Sequence, residues 1–243
     1  MSILLQYIPL GLLAALLWVL LRRRAYREFP CFFLYVAFAV AAGLARFVVH
    51  GNQHTLYATF WVTDAGYALL GALALYEVLR KVLRGLTGIW WAHLIFPAIL
   101  AAGAALSLWH SHEVPSQVED RLLLVIVTGE IAVRFAQVLV FAGMVAFVPL
   151  FGLRWRQQPL GIAMGFGLYS TVALLITLKL SDFGTGFKFL WGVASLVAYS
   201  LAVLIWIWFF SFPQKEEPAP NPEQVAFALD TLNRYLEWLR RMR

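Results

Sequence analysis

The sequence predicts an all-α membrane protein, a bundle of seven transmembrane helices with its N-terminus outside and C-terminus inside, followed by a short amphipathic helix. Three observations carry that expectation. Of the 243 residues, 62% are hydrophobic and 13% charged, whereas a soluble domain has about 45–50% apolar and about 25% charged residues. Seven stretches are apolar over the length of about 20 residues that a helix needs to cross the hydrocarbon. The connections between them alternate in Lys and Arg content, as membrane topology requires. A mean hydropathy of +0.76 leaves too few polar side chains to cover a water-exposed surface. Soluble enzyme folds are thereby excluded.

The crossings fall at 3–21, 31–50, 57–79, 88–109, 122–150, 159–180 and 187–211. A helix satisfies its own backbone hydrogen bonds where no water is available, which makes it the natural spanning element. The first crossing has no positive charge before its apolar run and Arg22, Arg23 and Arg24 after it. A secretory signal peptide has the reverse order, so this segment reads as a retained crossing. Gly85 to His112, Gln157 to Leu178 and Phe189 to Gln214, which hold the fourth crossing and all but the outer ends of the sixth and seventh, are free of Asp, Glu, Lys and Arg.

Arg22 to Arg24 and Arg27 follow the first crossing, Arg80, Lys81 and Arg84 the third, Arg154 and Arg156 the fifth, and Lys215 and a basic C-terminus the seventh. These connections are expected inside. HGNQH (50–54), HSHEVPSQVEDR (110–121) and LSDFGTGFK (180–188) alternate with them and are expected outside. Aromatic belts agree: Tyr26, Trp90, Trp91 and Trp155 fall at inner interfaces, Tyr57, Trp61 and Trp109 at outer ones. The transmembrane domain is thus 1–211.

A Pro-rich linker, 212–222, and a cytoplasmic amphipathic helix, 223–243, complete the chain. Asn221 suits the helix cap, Pro222 its first position, and Arg240, Arg241 and Arg243 its negative dipole end. Val225, Leu229, Leu232, Leu236 and Leu239 form one narrow apolar stripe. The stripe can rest on the inner leaflet, dock on the bundle or pair with another helix.

Ionisable side chains within the bilayer cost at least a few kcal/mol each and normally face the bundle interior with partners. Arg46, Asp64, Glu130 and Arg134 are such residues, all expected in the outer half. Glu130, Arg134 and Gln137 share one face of the fifth crossing, and Asp64, Tyr67 and Gly71 lie close to one stripe of the third. These residues are expected to enclose a ligand-binding pocket open to the outside, with Asp64 and Glu130 neutralising Arg46 and Arg134. Interhelical ion pairs that only fix register are the alternative.

Other features carry weaker expectations. Pro97 frees the carbonyl of His93, which could ligate a haem or pigment, or simply sit at the interface beside Trp90 and Trp91. His50, His54, His110, His112, Glu113, Glu119 and Asp120 share the outer loops and include metal-ligand types. Glu77 stands four residues before Lys81, the spacing of an interfacial ion pair. GIAMG, with Gly161 and Gly165, permits close helix approach. Cys31 is the single cysteine, which excludes an internal disulfide and a multi-cysteine metal site.

The seventh crossing lacks the central lysine that a retinal protein of the microbial type needs, and no HExxH, GxSxG or phosphate-loop motif is present. No internal repeat points to a transporter of related halves. The runs LRRRAYREFPCFFLYVAF (21–38), TDAGYALLGALALYEVLRKVL (63–83) and QPLGIAMGFGLYS (158–170) resemble a group of uncharacterised bacterial seven-helix membrane proteins. That resemblance implies the architecture and a bacterial cytoplasmic (inner) membrane, and carries no activity or site residue. The resulting expectation is a non-enzymatic, receptor- or sensor-like protein that binds a small ligand or partner through the outer pocket. An accessory subunit of a larger membrane complex and an intramembrane or metal-dependent enzyme are the alternatives. Its expected partners are the lipid bilayer and a membrane protein or second copy, with no nucleic acid, because no basic, aromatic-interleaved face is present. The sequence assigns no cofactor.

Overall fold

A computed structural model describes residues 3–49, 53–82, 97–99, 101–103, 105, 121–150, 157–183, 188–212, 230 and 234. They form six long helices: α1 (Ile3–Arg22), α2 (Pro30–Val48), α3 (Gln53–Val82), α4 (Arg121–Leu150), α5 (Gln157–Phe183) and α6 (Lys188–Ser211). These match the first, second, third, fifth, sixth and seventh expected crossings. Residues 97–99 and 101–103 are helical within the fourth; His93 and the rest of that crossing lie outside the described residues. No strand occurs among the described residues.

The turn between α1 and α2 shows how sequence sets the first reversal. Arg24 takes a left-handed backbone, φ 54° and ψ 29°, which ends α1. One turn of 3-10 helix, Ala25–Arg27, follows. Phe29, at φ −128° and ψ 65°, stands outside the helical region that a residue before proline avoids, and Pro30 opens α2 at the position where its missing N–H costs nothing.

The helices close a ring in which each packs on its chain neighbours, α6 returns to α1, and α3 also touches α5. The buried core occupies one end of that ring. It draws on the C-terminal halves of α1 (Leu13, Leu16, Leu20), α3 (Ala74, Leu75, Val78) and α6 (Val203, Trp206, Phe210), and on the N-terminal halves of α2 (Phe32, Val36) and α5 (Ile162, Phe166). Aromatic rings fill it: the Phe32 centroid lies 5.2 Å from Trp206 and 5.6 Å from Phe210, and Tyr35 lies 5.0 Å from Phe166.

Close approach of α5 and α6 comes from rings seated on glycines. A Cβ on Gly161 would overlap the Phe209 ring, and one on Gly165 the Trp206 indole, whose Nε1 donates to the Ile162 carbonyl at 3.3 Å. Gly103 lies against the Ala132 backbone, with 2.9 Å between its Cβ position and the carbonyl oxygen, bringing the helical residues 101–103 onto α4.

The core end is also the basic end. Arg23 donates from Nη2 to the Ser211 carbonyl, tying the end of α1 to the end of α6. Lys81 donates to the Glu28 carbonyl and its Nζ sits 3.6 Å from the Phe29 ring centroid. Glu77 of α3 accepts the Phe32 N–H at 3.1 Å, so the carboxylate that Lys81 attracts also serves the open N-terminus of α2.

Four helical stretches are long and apolar enough to cross a membrane: Pro30–Val48, Thr55–Val82, Gln158–Ile176 and Gly192–Ser211. Large apolar side chains cover the outside of the ring, including Val62 at 72% exposure and Trp208 at 64%. Water would penalise such a surface and lipid does not, which identifies an integral membrane protein. In the C-terminal segment Asp230 and Arg234 are helical and joined by an exposed i,i+4 ion pair, Nε to Oδ2 3.0 Å, whose hydrogen bond raises the Arg234 pKa. The apolar stripe from Val225 to Leu239 lies outside the described residues.

Candidate functional site

The end of the ring away from the core holds a cavity of about 450 Å³ between α2, α3, α4, α5 and α6. Helical spacing aims the lining. Asp64 and Tyr67 are three apart on α3, Arg134 and Gln137 three apart on α4, and Gly192, Ser195 and Tyr199 recur at three and four on α6. Tyr35 and Arg46 enter from α2 and Tyr169 from α5.

Five of the six residues expected to form a ligand pocket therefore line one space: Arg46, Asp64, Tyr67, Arg134 and Gln137. Glu130 stands one turn before Arg134 on α4, and its side chain lies outside the described residues. Tyr35 belongs both to the cavity wall and to the core, so it marks the boundary between the hollow and the filled end of the bundle.

Arg46 is held by α3. Its Nε donates to Thr63 Oγ1 at 2.9 Å, its Nη2 donates to the same oxygen and, at 3.4 Å, to the Phe60 carbonyl. The guanidinium carbon lies 4.7 Å from the Phe60 ring centroid and 5.8 Å from that of Tyr67. Aromatic faces attract a cation, and more strongly once water is excluded. Across the cavity Arg134 lies 5.6 Å from the Tyr169 ring centroid, and Tyr169 in turn 5.3 Å from Tyr199.

Gln137 is buried and its carbonyl accepts the hydroxyl of Ser170, which is fully buried on α5. Its amide nitrogen faces α3, 3.2 Å from where a Cβ on Gly71 would stand. Tyr67 donates to the Ala39 carbonyl at 3.4 Å. The Tyr199 hydroxyl is buried, beside that of Tyr35.

The described lining thus carries two guanidinium groups and one carboxylate, a net formal charge of +1, where the sequence reading with Glu130 makes the pocket neutral. Thr63, Ser170 and the tyrosines at 35, 169 and 199 were not singled out from sequence. Their signal is weak, because a hydroxyl in an apolar helix more often bonds back to its own backbone, as Thr63 does to Thr59 at 2.8 Å. No group of three or more His, Cys, Asp or Glu able to hold a metal occurs among the described residues. The outer-loop residues His50, His110, His112, Glu113, Glu119 and Asp120, and the side chain of His54, lie outside them. Comparison with protein-family models, with curated proteins and with solved structures finds no match to the chain.

Proposed function

We propose that this protein is a seven-helix, non-enzymatic membrane protein that binds a small ligand in the cavity at its outer end. One observation carries the reading: charged and polar residues contributed by α2, α3 and α4, expensive to place in lipid, converge on one cavity of about 450 Å³. That size lies within the range of about 300–1,000 Å³ common to small-molecule sites.

The orientation rests on the basic end. Arg22 to Arg24, Arg27, Arg80 and Lys81 gather where the core is, so the rule for cytoplasmic loops puts the cavity outside. The count of seven draws support from the run of the helices. Gly71 of α3 lies against Val133 and Gln137 of α4, and the core ends of both helices are their C-terminal halves, so the two run parallel. On this reading the chain between Val82 and Arg121 returns across the bundle through the apolar residues 88–109, which are long enough to span it. A receptor- or sensor-like role, coupled inward through the C-terminal helix, fits this layout in a bacterial inner membrane.

The test uses the full chain extracted in a mild detergent and weighed by native mass spectrometry. Wild-type protein is expected to carry a non-protein mass that a Glu130→Gln, Arg134→Met double variant loses while eluting as the same folded species. A folded variant that keeps the mass overturns the pocket. A stoichiometric protein partner in place of a small mass overturns it in favour of an accessory subunit.

A further inference from the structure

The chemistry of the cavity wall identifies the class of ligand, and the argument rests on the pocket reading above. Thr63 and Phe60 engage Nε and Nη2 of Arg46, and Nη1 keeps two donor protons. Gln137 has its carbonyl committed to Ser170, which leaves its amide hydrogens as the group to be matched. Arg134, which already has a partner, adds a second guanidinium, and Tyr199 a buried hydroxyl beside that of Tyr35. Against these donors the described lining offers one carboxylate, Asp64. A ligand that enters must bring acceptors, and a cation would meet Arg46, whose hydrogen bonds all go to neutral oxygens, in a medium where its charge is poorly screened.

Apart from Ser195 the rest of the wall is largely apolar, made mostly by the rings of Tyr35, Tyr67, Tyr169 and Tyr199. Room remains on α6, where a side chain placed on Gly192 would meet nothing within 4 Å. We infer that the cavity takes an amphiphilic oxyanion, a carboxylate or phosphate carried on an apolar body, with Arg134, Arg46 and the Tyr199 hydroxyl around the anionic group and the tyrosine rings around the body. Charge-assisted donors of this kind bind oxyanions in a dry site more strongly than neutral ones do.

Such a ligand can come from the lipid phase or from the water outside, so the test uses a probe of each source. The full chain in a neutral detergent is titrated with palmitate or with phenyl phosphate, and with hexadecanol and hexadecylamine as neutral and cationic counterparts, and bound mass is read by native mass spectrometry. Palmitate, phenyl phosphate or both are expected to add saturably at one per chain; palmitate alone points to a membrane source, and phenyl phosphate binding to an aqueous one. Tyr199→Phe removes one buried hydroxyl, which stands beside that of Tyr35, and is expected to leave the protein folded while weakening oxyanion binding about tenfold. Arg134→Met is expected to abolish binding, and Gly192→Trp to reduce it by filling the space.

Hexadecylamine or hexadecanol adding as tightly as the anions, and lost in Gly192→Trp, would overturn the oxyanion inference and leave the ligand pocket standing. Tyr199→Phe that binds the anions like wild type also overturns it. Binding of none of the probes overturns it too; the pocket reading then stands or falls on the co-purified mass of the Glu130 and Arg134 variant.

Discussion

Gly165 decides how closely α5 and α6 can meet, because the Trp206 ring occupies the volume its side chain would need. The indole cannot easily yield, being fully buried and donating to the Ile162 carbonyl at 3.3 Å. Gly165→Ala is therefore expected to destabilise the protein by about 1–3 kcal/mol, the usual cost of overpacking. Trp206→Phe in the same chain should recover part of that loss, and detergent unfolding of the four proteins in a double-mutant cycle reads the coupling. Equal stability of Gly165→Ala and wild type would mean the ring is not fixed there. A second residue-level dependence joins Arg46 to Thr63, whose oxygen accepts from both Nε and Nη2. Thr63→Val keeps the shape and removes the acceptor, and should cost about 1–3 kcal/mol in thermal or chemical unfolding, with Thr63→Ser retaining most of the stability. The glycine spacing of GIAMG is visible in sequence as close approach, but spacing cannot say whether a backbone or a ring fills the notch. Arg46 is equally visible as a buried charge, whereas Thr63 is one of many hydroxyls that an apolar helix can absorb.

At the scale of elements, α2 begins without a cap of its own. Phe29 occupies the cap position with no side-chain hydrogen bond, and Pro30 supplies no N–H. Glu77 of α3 fills the gap by accepting the Phe32 N–H at 3.1 Å, placing a carboxylate at the positive end of the α2 dipole. Glu77→Leu should leave that N–H without an acceptor and lower stability by about 1–2 kcal/mol, and Glu77→Gln should lose less, because its amide oxygen still accepts. Matching losses in the two variants in an unfolding titration would show that the cap does not matter. Spacing along one helix suggests Lys81 as the partner of Glu77, since i,i+4 pairs are the contacts a linear pattern can reveal. The cap spans 45 residues of sequence, and nothing local marks it. Helix positions and lengths, by contrast, were legible because apolar runs bounded by Arg22, Pro30, Lys81 and Gln157 are properties of the chain itself. The tyrosine-lined wall was not, since rings on α2, α3, α5 and α6 meet only after the ring of helices has closed.

The whole molecule is divided along its long axis into a filled end and a hollow end, and the division follows charge. Arginines and Lys81 crowd the filled end, where the Ser211 carbonyl at the end of α6 accepts from Arg23 and the Glu28 carbonyl in the first turn accepts from Lys81. Among the described residues, the charges Arg46, Asp64 and Arg134 of the hollow end lie inward, on the cavity wall. A membrane that selects for basic residues on its cytoplasmic side orients such a molecule one way. Because α3 and α4 run parallel, residues on either side of the return between them should lie on opposite faces of the bilayer. In a Cys31→Ala background, a cysteine introduced as Ser111→Cys is expected to react with a membrane-impermeant maleimide on intact cells. One introduced as Arg23→Cys should react only after the membrane is opened. Labelling of both from the same side would leave the return unmade and the crossing count even. The cavity would then lose its exposure to the outside, and with it the route by which a water-borne oxyanion could reach Arg134.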